Sequence, residues 1–349
     1  MRIIKIILII IAIPVALFIL FLIHSTMADF QPKEVIRLGN PKLNDTIRLE
    51  DTITIMTWNI GYAGLDANMD FFYDGGEKVR PGKNQVIENF NNIENFISKN
   101  DSVKFIFIQE IDKSSKRSYH INEFAKIREI LDNYTPYFGK NYDVDFVPVP
   151  VFKPMGKVLS GIATFSQEKP YNASRYSFPG NYAWPTKLFM LDRCFLVCRF
   201  KTNNEKDFIL INTHNSAYDD GTLRKQQMEY LRSFILNEFN SGNYILVGGD
   251  WNQSPPDLNP KLINQPFDTL NKSFIPKDFL PESWKWAYDP YLPTNRRVTH
   301  TYVRGETLTT VIDFFLLSPN IELININTID LGFKNSDHQP VIACFMLKD

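Results

Sequence analysis

The feature that most constrains the fold is a series of short apolar runs, most of them five to eight residues long, between residues 52 and 347. They are rich in Ile, Val, Phe and Thr, which favours β-strands over helices. The runs are TITIMTW (52–58), KFIFIQ (104–109), GIATFS (161–166), FLVCRF (195–200), DFILINTH (207–214), YILVGGDW (244–251), HTYV (300–303), TVIDFFLLS (310–318) and PVIACFML (340–347). Stretches with apolar residues at helical spacing, 84–99, 121–131 and 223–239, separate some of them. This pattern predicts an α+β fold of packed β-sheets with helices outside.

A second constraint lies at the amino end. Residues 6–23, IILIIIAIPVALFILFLI, carry no charge and follow Arg2 and Lys5. A membrane-spanning helix needs about 20 apolar residues, so residues 1–28 are expected to form a signal anchor. The basic flank should stay in the cytoplasm, which places the rest of the chain outside. A cleaved signal peptide, giving a secreted protein, is the alternative.

Residues 29–50 are mixed in character and predict a linker that lifts a domain at 51–349 off the membrane. The whole chain has 38 basic and 39 acidic residues, so a strongly basic nucleic-acid footprint is absent overall. Three cysteines, Cys194, Cys198 and Cys344, cannot form a disulfide framework and lack the spacing of a zinc site.

Polar clusters end or interrupt six of the segments, where a core strand would not need them. The clusters contain Asn59, Glu110, Thr213-His214-Asn215, Asp250 and Asn252, Asp313, and Asp337-His338. Each cluster alone is compatible with a turn or a buried hydrogen bond. Together at sheet edges, they supply the acids, amides and imidazoles that phosphate-ester hydrolysis requires.

The segments TWNIG, QEID, NTH, GGDWN, IDFFLLS and SDHQPV resemble, in order, the motifs of the endonuclease/exonuclease/phosphatase superfamily over residues 52–349. The resemblance implies two packed mixed β-sheets in a four-layer α/β/β/α sandwich. It also implies Mg²⁺- or Mn²⁺-dependent attack of water on a phosphate ester. Oxygen ligands with several retained waters suit Mg²⁺.

The same resemblance implies roles for residues at the metal and the phosphate. Glu110 is the expected principal metal ligand, and Asn59 and Asp337 are expected beside it. Arg193 lies where family members often contact phosphate. The resemblance therefore implies that Arg193 binds substrate. The alternative is that Arg193 only forms an ion pair at the surface.

Five further residues have catalytic roles by resemblance. Asp250 would orient the attacking water, and Asn252 would hold a phosphate oxygen. His338 would act at the scissile phosphate with Asp313 fixing its ring. His214 would stabilise or protonate the leaving oxygen.

Substrate and partners are less constrained. Nucleic acid and a phospholipid head group are both expected as phosphate-ester substrates, and the membrane is reached through the amino-terminal helix. No obligate protein partner is evident. The alternative function is a catalytically inactive, membrane-anchored binding module on the same fold, although none of the six motifs is degraded.

Overall fold

The computed structural model describes residues 2–39, 44–217, 219, 221–263 and 274–348. Within them the helices are α1 (Arg2–Met27), α2 (Lys83–Lys99), α3 (Glu123–Ile130) and α4 (Thr222–Asn240). The strands are β1 (Val35–Gly39), β2 (Thr46–Ile47), β3 (Ile53–Asn59), β4 (Phe105–Asp112), β5 (Thr135–Val147), β6 (Gly156–Ser166), β7 (Asn172–Ser177), β8 (Cys194–Thr202), β9 (Asp207–His214), β10 (Tyr244–Asp250), β11 (Lys285–Ala287), β12 (Asn295–Arg296), β13 (Thr309–Thr310), β14 (Asp313–Leu317), β15 (Ile321–Thr328) and β16 (Val341–Leu347).

Two mixed sheets form the body of the molecule. The first has the order β1-β7-β8-β9-β10-β14-β11, with β2 beside β8, and the second has the order β15-β16-β3-β4-β6-β5. Strands β9 and β10 are parallel in the first sheet, as are β3 and β4 in the second, and most other neighbours are antiparallel. The predicted α+β fold of two packed mixed sheets is confirmed.

The alternation of side chains along β4 explains how the layers assemble. Phe105 and Phe107 point between the two sheets, where they pack with Phe200, Phe208 and Phe345. The intervening residues Ile106 and Ile108 face the opposite side and pack under α2 and α3. On the outer face of the first sheet, α4 covers a further apolar cluster. The order of layers is therefore helix, sheet, sheet, helix.

The three predicted helices are confirmed as α2, α3 and α4, and eight of the nine apolar runs contain strand residues. HTYV (300–303) forms no strand, so that prediction was wrong. The Tyr302 amide donates to the Ala67 carbonyl at 2.7 Å, and its ring packs against Phe333 instead of pairing in a sheet.

The predicted linker differs from the structure. Within 29–50, β1 pairs antiparallel with β7 and β2 pairs parallel with β8, so both belong to the first sheet. The reason is that Leu38 and Ile47 pack against the core. Residues 40–43 of this segment lie outside the described residues, and the domain boundary at residue 51 stays a prediction.

Helix α1 is long and apolar enough to cross a membrane, judged by length and composition. Its 26 residues correspond to about 39 Å of helix. The side chains of its apolar window are not buried inside the protein. A membrane anchor and a signal sequence both fit this helix.

Gly249 permits the close approach of β9 and β10 that aligns their ends. A Cβ atom at this position would lie 2.1 Å from the Thr213 carbonyl oxygen, and the backbone φ is +138°. Any side chain would therefore force the two strands apart just before Asp250.

We predict that Gly249→Ala lowers the free energy of unfolding by about 2–5 kcal/mol, because backbone strain and overpacking add together. Gly221→Ala is the matched control, since Gly221 also has a positive φ (+99°) but, among the described residues, no atom within 4 Å of its Cβ position. That control should cost about 1–2 kcal/mol from backbone strain alone. Chemical denaturation of both variants measures the difference, and equal losses would contradict the close-approach argument.

Candidate active site

Strand register brings three of the predicted residues into one row. Asp250 is the register partner of His214 on the parallel strand β9 and of Asp313 on the antiparallel strand β14. Residues paired across a sheet project from the same face. The first sheet therefore presents an imidazole and two carboxylates side by side at its edge.

The second sheet contributes Asn59 and Glu110 from the ends of the neighbouring parallel strands β3 and β4. Asn59 joins the two sheets, because its Nδ2 donates to Asp250 Oδ2 at 2.9 Å and lies 3.4 Å from Glu110 Oε1. Its Oδ1 accepts from the Gly61 amide at 3.0 Å. In this geometry Asn59 positions the two acids as a hydrogen-bond donor, and a ligand role for it stays a prediction.

Glu110 has an unusual backbone conformation. Its φ is +53°, and the pairing of β4 with β6 is irregular between Ile108 and Ile111. A bulge of this kind re-aims a side chain and is found next to active sites. The Glu110 side chain is one quarter exposed and lines the cavity at the sheet edge.

His338 is held by a carboxylate and by its own backbone. Its Nδ1 donates to Asp313 Oδ2 at 2.8 Å, and its carbonyl accepts from Trp58 Nε1 at 3.0 Å. Its Nε2 lies 3.8 Å from Asp250 Oδ2 and 3.9 Å from Asp337 Oδ2. Burial alone would lower the pKa of His338, but the charges of these three carboxylates outweigh it and raise the pKa well above its usual value. These carboxylates therefore favour the protonated form of the His338 imidazole.

His214 is in the opposite state. Its Nε2 lies 3.5 Å from Asp250 Oδ2 and 4.0 Å from Glu110 Oε1. Burial, assisted by the positive charges of Arg193 and His338, lowers the pKa of His214 well below its usual value. The surroundings of the two imidazoles thus push their pKa values in opposite directions, which is how acid and base roles are separated in many enzymes.

The acids of the site repel one another. Burial raises the pKa of Asp337 to about 7, with the nearby Glu110 charge adding to the shift. Burial also raises the pKa of Asp250 to about 6, and Asp313 adds to that shift. Carboxylates crowded in this way favour a bound cation over two free negative charges.

The donor chemistry fits a divalent metal. Glu110 and Asp337 both line one cavity, and hard oxygen ligands suit Mg²⁺ and Mn²⁺. Among the described residues, Asp250, Asp313 and His338 form a second candidate group, with ligand atoms within 4.8 Å of one another. In that group His338 Nδ1 and Asp313 Oδ2 already bond to each other, which favours a carboxylate–imidazole pair there.

The other two predicted residues lie at the same place. Asn252 has a φ of +51°, its amide donates to Asp250 Oδ1 at 2.9 Å, and its Nδ2 donates to the Asn215 carbonyl at 2.8 Å. Arg193 lines the cavity near His214. The structure therefore brings all nine predicted site residues together, while their individual roles stay predictions.

Sequence reasoning missed three residues of the site. Asn295 Nδ2 lies 3.0 Å from His338 Nε2. The buried Arg117 pairs with Asp112, and its guanidinium lies 3.8 Å from the centre of the Tyr62 ring. Arg117 and Tyr62 follow the QEID and TWNIG motifs closely, but neither carries a local signal, because only the tertiary fold turns them into the cavity.

The cavity has a volume of about 600 Å³. Besides the residues above, it is lined by further basic, aromatic and sulfur-containing side chains, among them Met155, Tyr182, Met190, Arg224 and Arg297. Room for a substrate therefore exists beside the acid–imidazole cluster.

Comparison with known proteins gives a consistent result. The model of the endonuclease/exonuclease/phosphatase family matches residues 56–338. No curated protein matches the sequence significantly.

Solved structures share the fold. An endonuclease/exonuclease/phosphatase from Beutenbergia cavernae DSM 12333 is 17% identical with a TM-score of 0.60, covering 85% of this chain and 72% of that one. One from Bacteroides vulgatus is 17% identical with a TM-score of 0.54, covering 86% and 100%. ANGEL2, a 2′,3′-cyclic phosphatase in complex with adenosine-2′,3′-vanadate, is 16% identical with a TM-score of 0.55, covering 85% and 96%.

We predict that Asp337→Asn raises stability at pH 8 in the presence of EDTA. Because the folded-state pKa of Asp337 is about 7, against 3.8 normally, the folded state binds more protons than the unfolded state between these values. As the pH rises from about 4 to 7, the buried Asp337 carboxyl ionises and the folded state loses on the order of 4 kcal/mol of stability. The Asn side chain does not ionise, so the variant avoids that loss. Wild type and variant should converge at pH 4.

Thermal melts with and without Mg²⁺ provide the measurement. Mg²⁺ should stabilise the wild type more than Asp337→Asn, and the exposed control Asp278→Asn should behave as wild type. A variant that is less stable than wild type at pH 8 in EDTA would contradict the electrostatic account.

Proposed function

The chain belongs to the endonuclease/exonuclease/phosphatase family, and on this premise we propose that it is a divalent-metal-dependent hydrolase of phosphate esters of the phosphodiesterase or nuclease type. One observation carries the proposal. Glu110 from one sheet and His214 and Asp250 from the other line a single cavity, with Asn59 bonded to Asp250 and Asp313 paired with it in register behind them.

The proposed metal ligands are Glu110 and Asp337, with Mg²⁺ or Mn²⁺ as the ion. When bound, the cation supplies positive charge that offsets the negative charge building on the phosphate. The raised pKa of Asp337 supports this assignment, because a group that resists ionising alone gains most from a cationic partner.

Asp250 is proposed to orient the attacking water and accept its proton. Its Oδ1 is held by the Asn252 amide and its Oδ2 by Asn59 Nδ2, which fixes the carboxylate plane. With a pKa of about 6, most of its population is ionised at neutral pH, while proton acceptance stays favourable.

The two imidazoles are proposed to act on opposite sides of the phosphate. Asp313 fixes the His338 ring through Nδ1, and the resulting positive charge would stabilise the phosphate oxygens as negative charge grows. The neutral His214 would serve as a hydrogen-bond donor to the leaving oxygen. Its burial supports that neutral state.

A polyanionic or diester substrate fits the charge of the cavity wall. Arg117, Arg193 and Arg224 all line it, and a guanidinium binds phosphate oxygens well. We propose a nucleic acid or a phospholipid head group as the substrate class. ANGEL2 is a 2′,3′-cyclic phosphatase, and TDP2 from D. rerio has been crystallised with a single-stranded DNA product, so relatives in fold act on phosphate esters. We further propose that α1 holds the protein at a membrane with the cavity outside the cytoplasm, or is cleaved to release it.

The test is hydrolysis of bis-p-nitrophenyl phosphate with Mg²⁺, with Mn²⁺ and with EDTA. We expect metal-dependent release of nitrophenol that EDTA abolishes. Asp250→Asn and His338→Ala should each lower kcat by about 10³-fold or more, because each removes a group that acts in the chemical step. The matched control Asp278→Asn, at an exposed position, should keep full activity.

Circular dichroism spectra of both variants should match the wild type, so that lost activity cannot be ascribed to unfolding. Normal rates in a folded Asp250→Asn or His338→Ala variant would refute the assigned roles. Absence of metal-dependent turnover on a panel of DNA, RNA, sphingomyelin, phosphoinositides and phosphomonoesters would favour the binding module.

A further inference from the structure

An exposed apolar patch lies at the turn between β5 and β6. The side chains of Val151 and Phe152 are 78% and 97% exposed, and Phe146 at the end of β5 is 41% exposed. Trp184, in the loop between β7 and β8, is 56% exposed. Phe146 and Trp184 both contact the end of α1, and exposed apolar side chains beside an apolar helix mark a contact with another apolar phase. We name Phe146, Val151, Phe152 and Trp184 the membrane face.

The contacts of α1 give the direction in which the turn points. The Lys140 Nζ atom lies 3.7 Å from the centre of the Phe30 ring. Further along β5, Asp145 lies 3.5 Å from His24. At the end of the strand, Phe146 meets Phe21 edge-on with 6.0 Å between ring centres. As β5 advances, its contacts therefore step backwards along the chain towards the apolar part of α1.

Strand β5 thus runs antiparallel to the end of α1, and the turn beyond it extends further in the same direction. The loop that carries Trp184 also packs against the last turns of α1. Trp184 Nε1 donates to Thr26 Oγ1 at 3.3 Å, and Phe189 stacks on Phe21 with 5.6 Å between ring centres.

The length of α1 determines where these contacts lie relative to a bilayer. A hydrocarbon core of about 30 Å takes up about 20 helical residues. Counted from Ile6, the first residue of the uncharged run, that core ends near Ser25. Residues that touch Phe21 and Thr26 therefore lie at the outer membrane–water boundary, where tryptophan is enriched.

We infer that the membrane face rests on the bilayer that α1 spans, so that the domain has a second lipid contact besides its helix. Phe152 and Val151 enter the boundary between head groups and acyl chains, and Trp184 lies at head-group depth. The exposed Lys153 beside Phe152 is placed to meet lipid phosphates. The occupant is a phospholipid surface because the patch continues directly from an apolar helix.

The orientation has a consequence for the cavity. Met155 and Tyr182 line it, and they lie three residues after Phe152 and two residues before Trp184. Three residues of chain span about 10 Å at most. One wall of the cavity therefore lies beside the lipid surface, within reach of a phosphodiester in a head group. This consequence rests on the proposed hydrolase activity, whereas the lipid contact rests only on the proposed anchoring of the chain by α1.

Tryptophan quenching tests the contact with the full chain in lipid nanodiscs. Helix α1 contains no tryptophan, and among the five in the chain Trp58, Trp251 and Trp284 are buried. Phosphatidylcholine brominated on its acyl chains should quench part of the emission of the wild type. Trp184→Phe should lose that quenching and keep the rest of the spectrum.

Two further variants complete the experiment. Phe152→Ser should reduce quenching by loosening the contact. Ile324→Ser should leave it unchanged, because Ile324 is 47% exposed on β15 at the opposite edge of the same sheet. Equal emission in brominated and ordinary lipid, or quenching that survives Trp184→Phe, would overturn the inference. Self-association of the nanodisc-bound chain through Phe152, with no quenching, would assign the patch to a second copy and also overturn it.

The outcome is independent of catalysis. Hydrolysis of bis-p-nitrophenyl phosphate by the same samples should be equal in the wild type and Phe152→Ser, since Phe152 does not line the cavity. Quenching without turnover would reject the proposed function and keep the lipid contact. Turnover without quenching would reject the lipid contact and keep the proposed function.

Discussion

Crowding of buried carboxylates around one imidazole is the constraint on which the rest of the site depends. Asp250, Asp313 and Asp337 lie within 4 Å of the His338 ring nitrogens, and Asp313 and Asp250 are almost fully buried. Such a cluster is costly unless positive charge and hydrogen bonds compensate it. His338 supplies part of the compensation, the amide of Asn59 supplies another part, and a divalent cation at Glu110 and Asp337 completes it in the proposed mechanism.

The fold makes this crowding possible by ending several strands at one edge. The parallel pairs β3–β4 and β9–β10 both finish there, and β14 begins beside them. Each sheet alone would hold an incomplete set, with Glu110 separated from Asp250. The hydrogen bond from Asn59 to Asp250, which crosses from one sheet to the other, is therefore as important for the site as either sheet.

Much of the molecule could be predicted from the sequence where a signal is local. Buried strands are recognisable as apolar runs, and the predicted site residues that follow or end such runs, such as Asn59 and His214, come together in the structure. Strands with alternating polar residues, such as β5 and β15, carry a weak signal and were not identified, because their exposed faces accept Lys, Asp and Asn.

Features that depend on tertiary contacts could not be predicted. The left-handed backbone at Glu110 results from its irregular pairing with β6. Asn295 reaches His338 only through the pairing of residues far apart in the chain. The segment 29–50 has the composition of a linker, yet two short strands within it add to a sheet. In each case the deciding partner lies elsewhere in the sequence.

The central claim is that Glu110 and Asp337 hold a divalent cation while Asp313 and His338 remain bonded to each other. Anomalous scattering from a crystal soaked in Mn²⁺ tests it most directly. We predict a manganese peak within bonding distance of the Glu110 and Asp337 oxygens, with the His338–Asp313 hydrogen bond intact. A peak bound to Asp250, Asp313 and His338 with that hydrogen bond broken, or no peak at the cavity, would contradict the account.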